Sequence, residues 1–170
     1  MVDYWFSADH HFGHEGIIKH CKRPFADEKE MKDVLIERWN AFVKPRDVVV
    51  YLGDFHWSDN AGNVLSFAKR RLAGTIIFVK GNHDRWIKRD KRYMYHKKIA
   101  GVQCWCAHYA FRTWPSGINL HGHCHGTLEE YVNQFDVGVD AWDYRPVNIE
   151  ELKSRIDESL LTRKQRGELS

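Results

Sequence analysis

Five short polar clusters carry side chains that can offer a lone pair to a cation: Asp9-His10-His11, Gly53-Asp54, Gly81-Asn82-His83-Asp84, His108 and Gly122-His123-Cys124-His125. The chain holds 11 histidines in 170 residues, and imidazole is the commonest metal ligand in proteins. Asp, Asn and neutral His are donors of intermediate hardness, which suit Mn²⁺, Fe²⁺, Zn²⁺ or Ni²⁺ better than Ca²⁺. Seven candidate donors suffice for two ions. With Asp9 and Asp54 as the charged ligands, two divalent ions leave a net charge of about +2, matched to a phosphate group. A phosphate ester is the substrate this chemistry predicts.

Donors so far apart in sequence need a scaffold that brings them together. Tyr4 to Ala8, Val48 to Leu52 and Thr75 to Val79 are short, apolar, β-rich runs, each followed within a few residues by one of the clusters. Met31, Val34, Leu35, Trp39, Phe42 and Val43 recur at helical spacing between the first two runs, opened by Asp27 and Glu30 and closed before Pro45. Val64, Leu65, Ala68 and Leu72 repeat the pattern between the next two, with Gly74 at the left-handed position that often ends a helix. This is a βαβαβ rhythm with three parallel strands, and ligands bind open α/β sheets at the carboxyl ends of such strands. Val102 to Ala107, Ile118 to Leu120 and Phe135 to Val139 predict a second sheet. Asn148 and Glu151 then open a last helix with Ile149, Leu152, Ile156 and Leu160 on one face, and Thr162 to Ser170 read as a frayed end.

Composition bounds the function class. Hydrophobic residues are 43% and charged residues 29%, which describes a globular chain, here read as one domain over 1–170. No apolar run reaches the roughly 20 residues of a membrane helix, and Val2 to Phe6 lack the pattern of a signal peptide, so a cytoplasmic protein with no membrane partner is expected. The net charge of +3 does not by itself demand a polyanion. Cys21, Cys104, Cys106 and Cys124 are expected to be reduced.

The ordered set DxH, GD, GNH[DE], H and GHxH resembles the calcineurin-like metallophosphoesterases, and the five matches span residues 9 to 125. The resemblance implies an α/β fold of two mixed β-sheets packed as a sandwich flanked by helices, with a binuclear metal site at the carboxyl ends of strands. It implies that Asp9, His11, Asp54 and His125 hold one divalent ion and Asp54, Asn82, His108 and His123 the other. Manganese is the first choice, with Fe, Zn or Ni as alternatives. A hydroxide shared by ions roughly 3.5 to 4 Å apart would be the nucleophile. His83, outside the ligand set, would protonate the leaving group, and Asp84 would orient it.

Other residues admit more than one reading. His96 competes with His108 for the fourth motif but lies in a charged, solvated stretch. His10 and His56 adjoin the ligands and would face substrate, while His14, His20 and His121 are surface, core or supporting residues. Cys104, Cys106 and His108 at period two raise a structural zinc site, less favoured than buried apolar cysteines. Residues 85–98 contain seven Lys or Arg among Trp86, Tyr93 and Tyr95, either a solvated face or a track for a nucleotide or single-stranded nucleic acid. A phosphodiesterase acting on nucleotides or nucleic acid is preferred, since a short chain with no evident cap domain is expected to have an open site that admits extended esters. A phosphomonoesterase on small metabolites or phosphoproteins is the alternative, although the Arg that some relatives place after GD is absent from residues 54–58. A binding module that lost the chemistry is the third reading. Oligomeric state is left open.

Overall fold

The computed structural model describes residues 2–88, 92–129, 131 and 133–165, with side chains as far as residue 157. Eight strands, β1 (Tyr4–Ser7), β2 (Val48–Tyr51), β3 (Thr75–Phe78), β4 (Met94–Ile99), β5 (Val102–Ala107), β6 (Ile118–His121), β7 (Gln134–Asp136) and β8 (Val147–Asn148), form two four-stranded sheets. The first has the order β3-β2-β1-β8, parallel except for β8, and the second β4-β5-β6-β7, parallel except for β4. Helices α1 (Gly16–His20), α2 (Glu28–Phe42), α3 (Ala61–Arg71) and α4 (Ile149–Gln165) complete the α/β fold of two mixed sheets. Among the described residues no helix is long and apolar enough to cross a membrane.

The strands of the first sheet are apolar on both faces because both are covered, as expected for parallel strands. Alternate residues Trp5, Val49 and Tyr51 pack against Met31, Leu35 and Trp39 of α2 and Val64 and Ala68 of α3. Their neighbours Phe6, Val50 and Leu52 meet Cys104, Cys106, Ile118 and Leu120 of the second sheet. The two cores lie on opposite faces of one sheet, so its carboxyl ends are left as the free rim.

Local chemistry sets the helix ends. The Asp27 carboxylate accepts from the Glu30 amide at 2.8 Å, while the Glu30 carboxylate reaches back one residue further than a capping box requires, to the Ala26 amide at 2.6 Å. Asn148 and Glu151 bond reciprocally to each other's amides at 2.9 and 3.2 Å, so α4 begins where the sequence predicts. Its helix continues through Thr162 to Gln165 instead of fraying there, and 166–170 lie outside the described residues. Leu65 is 50% exposed; Phe67 replaces it in the core, edge-on to Phe12.

The charged stretch is where the sequence reading departs most from the fold. Met94–Ile99 is an edge strand, antiparallel to β5 through a turn in which Ala100 and Gly101 both have positive φ. Tyr95 packs toward the inter-sheet core, and Lys97 donates to the Tyr4 hydroxyl at 2.6 Å, a cationic guard of the kind that keeps edge strands from pairing further. His96 is solvated as expected and stacks on Trp105 at 3.7 Å, its partner across the ladder, not on a candidate ligand. Lys97 stands on the same face as Tyr95 and Ile99, which hides the strand's alternation in the sequence.

Candidate metal centre

Every cluster lies just beyond the carboxyl end of a strand. Asp9 and His11 follow β1, Asp54 follows β2, Asn82, His83 and Asp84 follow β3, His108 follows β5, and His123 and His125 follow β6. Five of these residues, Asp9, His11, Asp54, His123 and His125, have φ between 49° and 69°. Left-handed backbone at non-glycine residues costs on the order of 1–3 kcal/mol each and persists only where the surroundings impose it. Here the imposition is visible: the Asp9 and His11 amides donate to the Gly53 and Asp54 carbonyls at 3.0 Å, lacing the first two strand ends together.

Two groups of donors result. Asp9, His11 and His125 bring ligand atoms within 4.8 Å of one another, and so do Asp54, His108 and His123. Asp54 lies between the groups, its Oδ2 3.6 Å from His11 Nε2 and 3.5 Å from His108 Nε2. Asn82 Oδ1 is 2.8 Å from His108 Nε2 and so joins the second group. Asp9 Oδ1 and His11 Nε2 are buried and have no hydrogen-bond partner. Buried polar atoms almost always find partners, so these two fit a cation between them.

The imidazoles are aimed from behind. His108 Nδ1 donates to the Leu52 carbonyl at 2.8 Å and His125 Nδ1 to Asp140 Oδ2 at 2.7 Å, which turns both Nε2 atoms toward the cluster. Asp140 is in turn gripped by Arg23 through two bonds of 2.8 and 2.7 Å, and the same guanidinium donates to the Asp9 and His10 carbonyls. A buried ion pair contributes little net stability, because desolvation offsets the attraction, yet losing one partner costs about 3–5 kcal/mol. Positioning, more than stability, accounts for Arg23 and Asp140.

Charge follows the same geometry. Burial drives His11 down to about 2, so its imidazole is neutral and free to ligate. Burial pushes Asp9 up to about 7. Burial also favours neutral Asp54, but the hydrogen bond and charge of His108, with His11, outweigh it and hold Asp54 at about 2. Against burial, the Asp54 hydrogen bond and the Asp9 and Asp54 charges lift His108 to about 9. The cluster thus retains protons that a bound cation would displace.

His83 stands at the mouth, its side chain 37% exposed and its Nε2 3.9 Å from Asp54 Oδ2. Asp84 does not orient it. Both Asp84 oxygens are engaged elsewhere: Oδ2 accepts from the Asp54 and Gly81 amides at 2.8 and 2.9 Å, Oδ1 from the Phe55 amide and Trp86 Nε1 at 2.9 and 3.0 Å. Asp84 ties the loop after β2 to the loop after β3, which positions Asp54. His83 is instead walled by Trp57, 5.1 Å between ring centroids, with His14 stacked on Trp57 at 3.8 Å.

A profile of the family described as calcineurin-like phosphoesterase matches residues 3–158. The chain belongs to the calcineurin-like phosphoesterase family. An uncharacterized protein of Methanocaldococcus jannaschii is similar, 31% identical with 96% of each chain covered. The crystal structure of a protein of unknown function from Aquifex aeolicus shares the fold, with a TM-score of 0.71 at 24% identity over 92% of this chain and 100% of that one.

Within this calcineurin-like phosphoesterase several histidines stand elsewhere than the sequence predicts. His10 does not face substrate; it is fully buried among Phe12, Trp39 and Tyr51, with Nδ1 against the Tyr51 hydroxyl at 3.0 Å. His56 turns back to accept from the Ser58 amide at 3.0 Å and to meet Phe67. His14 and His20, by contrast, line the cavity of about 400 Å³ shared by His11, Asp54, His83, His123 and His125. The turn and five-residue helix carrying them are too short for periodicity to announce. Cys104 and Cys106 behave as apolar residues between the sheets, and burial pushes Cys104 up to about 12. All four cysteines are free.

The motif glycines are demanded by the carboxylates beside them. A Cβ on Gly81 would lie 2.2 Å from Asp54 Oδ1, and one on Gly122 would lie 2.5 Å from Asp9 Oδ2. Gly81→Ala should therefore displace Asp54 and weaken Mn²⁺ binding by about 10- to 100-fold, the range seen when a ligand's support is disturbed. Calorimetric titration checks this; unchanged affinity would mean that Asp54 holds no metal.

Proposed function

We propose that this chain hydrolyses phosphate esters, preferring phosphodiesters of nucleotides or nucleic acid to monoesters. In this reading Asp9, His11, Asp54 and His125 hold one divalent ion and Asp54, Asn82, His108 and His123 a second, with Mn²⁺ the favoured metal. The observation that carries it is Asp54, whose one carboxylate oxygen stands about equally near His11 and His108 and so is placed to serve both groups. Two such ions supply Lewis acidity, which lowers the pKa of water and offsets charge on phosphoryl oxygens.

The chain's own residues do the rest. Asp54 fixes the spacing between the groups, Asp140 and Arg23 fix the direction of His125, and His83 at the rim holds the proton for the departing alkoxide. The diester preference rests on access and charge. Arg85 lies at 5.9 Å over Trp57, the ring that walls His83. Cations with aromatic rings suit an extended polyanion. Residues 89–91 of the basic segment 85–98 lie outside the described residues.

The test is hydrolysis of bis(p-nitrophenyl) phosphate and p-nitrophenyl phosphate after chelation and reloading. Activity should vanish with the metal and return with Mn²⁺ more fully than with Mg²⁺, since imidazole-rich sites favour the softer ion. The diester should be the faster substrate. Full turnover in verified metal-free protein would refute the mechanism, and a faster monoester would refute the preference.

A further inference from the structure

A second cavity adjoins the metal centre on its Asn82 and His108 side, and nothing in the hydrolytic machinery occupies it. Its volume is about 380 Å³, inside the roughly 300–1,000 Å³ of small-molecule sites. Asn82 and His108 form one wall; Lys80, Tyr93, Tyr109 and Phe111 supply most of the rest. Tyr93 and Tyr109 are 55% and 53% exposed, and two large rings left in water along one hollow call for an occupant with a flat apolar surface.

The walls are fixed in advance. Tyr109 stands edge-on to His123 and His108, at 4.6 and 5.0 Å between ring centroids, and its hydroxyl lies 3.4 Å from Asn82 Oδ1. The Phe111 amide donates to Asn119 Oδ1 at 2.9 Å, and its carbonyl accepts from Gln134 Nε2 at 2.7 Å. The Lys80 amide donates to the Arg92 carbonyl at 2.8 Å, and the Lys80 ammonium, bonded to the Ile87 carbonyl, lies 6.0 Å from the Tyr93 ring centroid. The slot therefore joins aromatic surface and one cation directly to two candidate metal ligands. A flat heterocycle attached to a phosphate matches that order of groups.

We propose that this cavity seats the nucleobase of a nucleotide ester, stacked against Tyr93 and Tyr109, while its phosphoryl group lies at Asn82 and His108. The proposal rests on the phosphoesterase reading and narrows its substrate to esters that carry a base beside the scissile phosphate. Stacking on an aromatic side chain is sequence-tolerant, because every base has a π-face, so the slot selects for a base and only weakly among bases.

The probes are adenosine 5′-monophosphate and ribose 5-phosphate, which share sugar and phosphate and differ in the base. Calorimetric titration of Mn²⁺-loaded protein should give the adenylate a Kd lower by roughly five-fold or more. Tyr93→Ala should bring the ratio of the two Kd values close to one, and Tyr93→Phe, which keeps the ring, should preserve it. Equal Kd values in the wild type overturn the slot, as does a ratio that survives Tyr93→Ala combined with Tyr109→Leu. Hydrolysis of bis(p-nitrophenyl) phosphate by the same preparation reports separately on the reaction. Discrimination without turnover would keep the slot and refute the phosphoesterase reading; turnover without discrimination would do the opposite.

Discussion

Asp54→Asn should cost the protein both metals and nearly all turnover in one substitution. Its Oδ2 is 3.6 Å from His11 Nε2 and 3.5 Å from His108 Nε2, so in the proposed two-ion reading both groups would lose a ligand when this oxygen loses its charge. With Asp54 held at about 2, the wild-type carboxylate is ionised at any working pH and the variant removes a full unit of charge. Asn keeps the volume and an oxygen able to accept from the His83 amide, which now donates to Oδ1 at 2.8 Å, so the fold should be spared. Losing several kcal/mol of charge stabilisation corresponds to a rate loss of roughly 10³-fold or more. Asp9→Asn is the comparison, because Asp9 belongs to the first group and should cost one ion while the second stays. Metal content per chain, measured beside circular dichroism, decides: two ions retained by folded Asp54→Asn would remove Asp54 from its bridging role.

The strand ends were legible because their chemistry is written locally. A short, largely apolar run followed within a few residues by Asp, Asn or His identifies both the strand and the rim, and β1, β2, β3, β5 and β6 all fit that pattern. The same rule applied to Phe135 to Val139 would have named Asp140, the next residue, which aims His125. Arg23 had no such signal. It sits in a loop between α1 and α2, and its partners Asp140, Asp9 and His10 are distant in sequence or are backbone carbonyls, so only the folded chain brings them together. The order of the motifs equally gave no warning that His10 points into the core while His11 points into the site. Adjacent residues at a strand end face opposite ways, and Trp39 and Tyr51 were already waiting on the inner side. The same limit explains Asp84, whose four bonds to backbone amides and Trp86 come from two loops that meet only in three dimensions.

His83→Ala should leave metal binding close to wild type yet lower turnover by ~10² to 10⁴ on esters with poor leaving groups, the usual range for a lost general acid. His83 is part of neither donor group, and only its backbone amide, retained by Ala, bonds to Asp54. Its ring lies 5.3 Å from that of His11 and stands at the rim, where a departing alkoxide would emerge. An alkoxide needs a proton as it leaves, whereas p-nitrophenolate departs without one, so the deficit should grow with the pKa of the leaving group. A series of aryl and alkyl diesters therefore separates acid catalysis from simple damage to the site, which would depress all of them alike. Trp57→Ala supplies the complementary case. With the wall at 5.1 Å removed, His83 keeps its chemistry but loses its orientation, and the deficit should follow the same dependence on leaving group at smaller amplitude. A uniform deficit across the series in His83→Ala, or loss of Mn²⁺ from that variant, would exclude His83 as the acid and leave the proton to come from water or from the neighbouring His14, which lines the same cavity.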